Sequence, residues 1–156
     1  RHRLADLVDG RRFVVVIWHS PACPCAHNCA KAIATEITPE RYPDVAILGV
    51  LSDRAWDADW MKEDLARQQE AGVVTFPVVV DPDQSVRKLY GAERTPTVWV
   101  ADREGRIRYW GAPENVLDPD GKGYRFLLGE ALDALRAGQQ PPTPRFDPIG
   151  CLIGPA

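Results

Sequence analysis

Three of the four cysteines, Cys23, Cys25 and Cys29, fall within seven residues, and the fourth, Cys151, stands near the C-terminus. A disulfide-stapled scaffold spreads its cysteines to tie distant loops, so this clustering predicts redox chemistry or metal binding. The thiolate, not the thiol, is the reactive form. Cys23 stands just before Pro24, where a strand-like run gives way to helix-favouring residues. Proline fits a first helical turn, and the unpaired N–H groups and dipole of that turn favour an anion. The arrangement predicts Cys23 as an exposed, activated nucleophile. Side chains at i and i+2 of a helix point apart, so a Cys23–Cys25 bridge requires Cys23 outside the helix as its cap. Such a small ring would be strained and easily reduced. Cys29, one turn beyond Cys25 and flanked by Ala26, Ala30 and Ile33, reads most plainly as a small buried apolar residue. His27, four residues after Cys23, reads as a polarising neighbour, a metal ligand or an exposed helix histidine.

The second informative stretch is Thr95-Pro96-Thr97, a proline in a turn directly before a valine-rich strand and thus a candidate cis peptide. Backbone groups ahead of such a proline are free to pair with an extended substrate.

The elements that must position these residues are legible from pattern. Phe13 to Trp18 is a continuous apolar, largely β-branched run, the mark of a strand buried on both faces. A helix follows from Pro24, with Ala26, Ala30, Ile33, Ala34 and Ile37 as its stripe, ended by Pro39. Val45 to Leu51 is a second buried strand. A helix is predicted from Asp53 to Gly72 with Trp60, Leu65 and Ala66 inward and Trp56 packing beside Trp60. Its acidic residues Asp53, Asp57, Asp59, Glu63 and Asp64 form a solvated face. Phe76 to Val80 is a short strand and Gln84 to Tyr90 a short helix. Thr97 to Ala101 and Arg106 to Trp110 are strands joined by a hairpin through Gly105. A polar loop, 111–123, leads to an amphipathic helix from Tyr124 to Ala137. The order predicts an α/β sandwich of three layers, a central mixed sheet flanked by helices. Residues 1–138 form one domain. Residues 139–156 form a proline-rich, extended tail that ends in an apolar segment around Cys151.

Bulk properties agree with one soluble domain. The 156 residues are 45% hydrophobic and 26% charged, with a net charge of −3, which argues against a nucleic-acid partner. No apolar run reaches the length of a membrane span. The start of the sequence has no signal-type apolar region, and a cytoplasmic and an exported location both stay open.

Taken together, these residues resemble the thioredoxin-like superfamily, in its redoxin (AhpC/TSA-like) branch of peroxiredoxin and exported thiol-reductase relatives, bacterial in type. The resemblance rests on the Phe13–Trp18 run, Cys23-Pro24-Cys25 opening a helix, Phe76-Pro77 before Val78 to Asp81, Val86 to Gly91, Thr95-Pro96-Thr97, and Asp102 to Ile107. It covers about Leu4 to Gly138. A subset of such proteins ends in a proline-rich extension with Gly-Cys and an apolar residue, as Gly150-Cys151-Leu152 does. The resemblance implies a cis Pro96 packed against Cys23 and a tail that returns to the site, making Cys151 a candidate partner thiol. The sequence departs from the family in four ways, one being that Arg94 stands near, but not at, the place of a peroxiredoxin's activating arginine. Only Pro24 separates the cysteines, Ala22 replaces a tryptophan, and Val16 and Ser20 occupy the peroxiredoxin Pro and Thr spacings.

Three functions follow. In thiol–disulfide exchange, Cys23 attacks, Cys25 or Cys151 resolves, and Thr95 and Pro96 hold the substrate. Its partners are a protein or small-molecule disulfide or thiol and a reducing partner, and it needs no cofactor. In a thiol peroxidase, Ser20 and Arg94 would add polar activation. In a metal carrier, Cys23, Cys25, His27 and Cys29, with His19 as a substitute, would hold Cu(I) or Zn. The first is the best supported.

Overall fold

A computed structural model describes residues 10–53, 57–115 and 122–154. The expectations for Leu4 and Trp56, and for part of the polar loop, lie outside them. The central sheet has six strands in the order β3-β2-β1-β5-β6-β7. These are β1 (Phe13–Trp18), β2 (Val45–Leu51), β3 (Val78–Val80), β5 (Thr97–Asp102), β6 (Ile107–Gly111) and β7 (Arg145–Phe146), while β4 (Arg94–Thr95) and β8 (Cys151–Leu152) pair separately. Strand β1 runs parallel to β2, as β2 does to β3, and antiparallel to β5. β5 and β6 form the expected antiparallel hairpin. The helices are α1 (Pro24–Glu36), α2 (Ala58–Glu70), α3 (Ser85–Tyr90) and α4 (Leu127–Arg136). The fold is the thioredoxin-like α/β sandwich, with a mixed sheet between helical layers.

Alternation along β1 sorts the core into two layers, because successive side chains point to opposite faces. Phe13, Val15 and Ile17 pack with Cys29, Ala30 and Ile33 of α1 and with Leu128, Ala131, Leu132 and Leu135 of α4. Val14, Val16 and Trp18 pack on the other face with Val50, Ala92, Tyr90, Trp99 and Ile153. Every residue of β1 is buried, which is why its sequence shows no polar alternation.

Helix α2 begins later than the sequence suggested. Asp57 caps it, accepting from the Asp59 and Trp60 amides at 3.1 and 2.9 Å. That start sets the inward face as Met61, Leu65 and Gln68, so Trp60 is 39% exposed and Ala66 is also outside. Asp53 is not on the helix. It is buried at the end of β2, accepting from the Ser20 hydroxyl (2.9 Å) and the Gly154 amide (3.1 Å).

The described part of the tail is extended, as expected of its prolines, but it is held at two short strands and at Ile153 and Gly154. Strand β7 adds to β6 in parallel, and β8 runs antiparallel to β4, placing Cys151 opposite Thr95 and Leu152 opposite Arg94. Ile153 is 4% exposed within the second core layer.

Candidate active site

The site lies beyond the C-terminal end of β1, where a parallel segment hands over to a helix and backbone amides are left without partners. His19-Ser20-Pro21-Ala22 makes that turn. Cys23 is the N-cap residue of α1, with extended backbone (φ −96°, ψ 114°). Its own amide donates to the Ser20 carbonyl and its carbonyl accepts from His27 N–H. Cys23 is therefore outside the helix, the condition under which its sulfur can approach Cys25. Pro24 takes the first helical position. The Thr95–Pro96 peptide bond is cis, and the Cys23 thiol donates to the Thr95 carbonyl at 3.1 Å.

The sulfurs of Cys23, Cys25 and Cys151 all lie within 4.8 Å of one another. All three thiols are free. This trio, and not a set with His27 and Cys29, is the group among the described residues that would suit a soft, thiolate-preferring ion. Helix geometry separates the other two. Cys29 faces the core at 0% exposure, beside Glu114. His27 lies on the side that faces His19 and Asp64. His19 is itself buried, with its ring edge-on to Phe76 at 6.2 Å. Burial pushes its pKa down to about 4, so it is neutral.

Cys23 is not exposed. At 2% exposure it is closed off, but its two sulfur neighbours belong to partly exposed residues. Thr95 and, from the returning tail, Cys151 both lie against its sulfur, and pattern alone did not seat the tail there. Burial opposes ionisation of Cys23. Hydrogen bonds from the Cys151 thiol, the Thr95 side chain and the Ala26 and Cys151 amides outweigh it, so the Cys23 pKa falls below the ordinary thiol value. The Thr95 hydroxyl is buried with no other partner. No cap hydrogen bond closes onto the neutral sulfur, but the Ala26 amide favours its anion.

The neighbouring thiols move the other way. Cys25 is raised by burial and by the charge and hydrogen bonding of Cys23. Cys151 is pushed up to about 12 by burial, then by the hydrogen bond and charge of Cys23. Of the three thiols, Cys23 is thus the one whose ionisation the site favours, while Cys25 and Cys151 hold their protons more tightly.

The polar auxiliaries expected from spacing are engaged elsewhere. Ser20 gives its hydroxyl to Asp53. Arg94 donates to the Gly150 carbonyl at 2.7 Å and holds the tail. Two residues escaped the sequence reading. Gln84, at the left-handed φ of 57°, donates to both the Ser52 and Gly154 carbonyls and so anchors the tail end. Glu114 is buried below the site beside Cys29 and Tyr124, and burial raises its pKa to about 6. No motif marks either one; the only hint was a carboxylate following Pro113 directly after a strand.

Comparison with known proteins decides the lineage. The model of the AhpC/TSA family matches residues 1–110. The chain belongs to the AhpC/TSA family. Comparison with curated proteins finds no match. A hypothetical protein from Sinorhizobium meliloti is similar over 98% of this AhpC/TSA chain and 84% of its own, at 29% identity and a TM-score of 0.83. An uncharacterised conserved protein from Geobacillus kaustophilus covers 98% and 82%, at 24% identity and a TM-score of 0.81. A thioredoxin-like protein solved in its oxidised form covers 89% and 87%, at 20% identity and a TM-score of 0.65. Family and fold are those of thiol-dependent oxidoreductases. No helix among the described residues of this AhpC/TSA chain is long and apolar enough to cross a membrane.

Proposed function

We propose that this protein is a thiol–disulfide oxidoreductase in which Cys23 is the nucleophile and Cys151 resolves the mixed disulfide. The observation that carries the reading is the three-sulfur cluster, in which Cys23 is the one thiol with a lowered pKa. Its thiolate attacks a substrate disulfide RSSR, giving Cys23–S–S–R and releasing RS⁻. Cys23 then carries no charge, so its hydrogen bond and repulsion no longer add to the burial that raises the Cys151 pKa. The Cys151 thiol yields its proton to RS⁻ and attacks the Cys23 sulfur, expelling the second RS⁻. Two thiols are oxidised and one disulfide is reduced, and an external reducing protein restores the pair.

Cys151 is preferred over Cys25 on geometry. Cys25 is tied to Cys23 through Pro24 in a small ring, whereas Cys151 arrives on an independent strand and can meet ordinary disulfide geometry. The peroxidase alternative has less support, because Ser20 and Arg94 are both committed to other partners. The test is a disulfide map of the oxidised protein together with exchange rates of single variants. Cys23→Ser is expected to abolish exchange, Cys151→Ser to stall it at the mixed disulfide, and Cys29→Ser to leave most of it. A fully active Cys23→Ser variant contradicts the reading.

A further inference from the structure

Strand addition to an exposed backbone edge is how an extended polypeptide is held beside a reactive thiol. In this protein that edge is β4, residues Arg94–Thr95, directly before the cis proline and against Cys23. It is already filled. β8 pairs with it antiparallel, and the Ile153 amide donates to the Glu93 carbonyl at 2.9 Å, extending the match by one residue. Arg94 holds the Gly150 carbonyl. Gly150 adopts φ +128°, and a Cβ there would fall on the Thr95 carbonyl oxygen, so only glycine lets the tail lie this close. Beyond the strand, Ile153 is buried in the second core layer. Gly154 is gripped from both sides, its amide by Asp53 and its carbonyl by Gln84.

We propose that the C-terminal strand occupies the polypeptide-docking edge, so that with the tail docked the site serves low-molecular-weight disulfides and excludes extended disulfide-bearing chains. This rests on the exchange reading above and specifies its substrate class. A small disulfide needs only side-chain rotation of Cys25 and Cys151, both partly exposed, to reach Cys23. A polypeptide needs the edge itself and must strip away β8, Ile153 and the Gly154 anchors. Cys151 meanwhile sits across from Thr95, where a polypeptide's own cysteine would lie. The tail is in effect a tethered substrate strand that supplies the second thiol.

The test uses the reduced full chain with two probes, oxidised glutathione and a linear peptide of about ten residues carrying a mixed disulfide. Each rate is divided by the rate of the same probe with free cysteine. The normalised peptide rate is expected to fall at least about tenfold below that of glutathione, since only the tail-released fraction is competent for it. Gly150→Val and Ile153→Asp each loosen the strand while keeping Cys151, and either is expected to raise the peptide-to-glutathione ratio by about tenfold. Hydrogen exchange at the Ile153 and Gly154 amides reports release. In the unaltered chain, excess peptide should expose those amides and glutathione should leave them protected. Equal normalised rates, or an unchanged ratio in a variant whose tail amides have lost protection, overturn the proposal. So does peptide captured at Cys23 with the tail amides still protected. If neither probe reacts at Cys23, the exchange function itself fails.

Discussion

At the residue scale, the chemistry depends on Cys23 ionising ahead of its neighbouring thiols. The Cys23 anion is favoured by a hydrogen bond from Cys151 and opposed by its own burial. Replacing Cys151 with alanine removes that donor, and the Cys23 pKa is expected to rise toward the ordinary thiol value. Thiolate absorbance would detect the shift, and an unchanged titration would mean that the Ala26 amide and Thr95 suffice. Glu114 offers a second residue-scale test. Its pKa lies at about 6 in the folded protein because burial disfavours the carboxylate, against an ordinary value of 4.5. The folded state therefore binds this proton more tightly than the unfolded state does. The associated stability is complete below pH 4.5 and is lost as pH rises through 6. Glu114→Gln should abolish that part of the pH dependence, read as a smaller difference in Tm between pH 4.5 and pH 7. Cys23 and Cys25 were legible because their spacing and the following proline fix a helix start. Glu114 was not, since burial of a loop carboxylate depends on contacts that no local pattern encodes.

At the element scale, continuous apolar runs and turn residues were enough for β1, β2 and the β5–β6 hairpin, which appear within a residue or two of expectation. The hairpin is tied by Asp102, which accepts from the Glu104 and Arg106 amides and from the Arg106 and Arg108 side chains. Burial works against that carboxylate, but the arginines and amides win and hold it at about 2. Its stabilising contribution is thus present above pH 3.8 and lost as pH falls through 2. The two-residue strands β4, β7 and β8 had no readable signature, because pairing with a distant partner rather than propensity makes them strands. Gly111 shows the constraint. It adopts φ +135°, and a Cβ would fall on the Phe146 carbonyl. Gly111→Ala is expected to cost at least about 2 kcal/mol, by detaching β7 from β6. A urea midpoint shifted at constant slope would show it, and a midpoint equal to the parent's would mean β7 is not needed for stability. The start of α2 was misplaced because Asp53 and Asp57 look alike in sequence. One is a buried anchor for Ser20 and Gly154, and the other is a helix cap.

At the scale of the whole molecule, the chain closes on itself. Residues 150–154 return across more than fifty positions to seat against residues 93–95. Burial of Ile153 adds apolar contact to those hydrogen bonds. This closure makes a helix-start thiol into a roofed three-sulfur centre, and it explains why the expected exposure of Cys23 was wrong although its role as N-cap was right. Family resemblance suggested that the tail returns. The sequence could not show that it fills the backbone edge beside the cis proline, because β8 carries only two residues.

The most direct test of the central claim is a thiolate absorbance titration of the reduced full chain beside its Cys23→Ser variant. The parent is expected to show one ionisation below the ordinary thiol value of 9.0, and that step is expected to vanish in the variant while Cys25 and Cys151, raised by burial, ionise only at higher pH. A low-pH step that persists without Cys23 would place the charge on another sulfur and contradict the account.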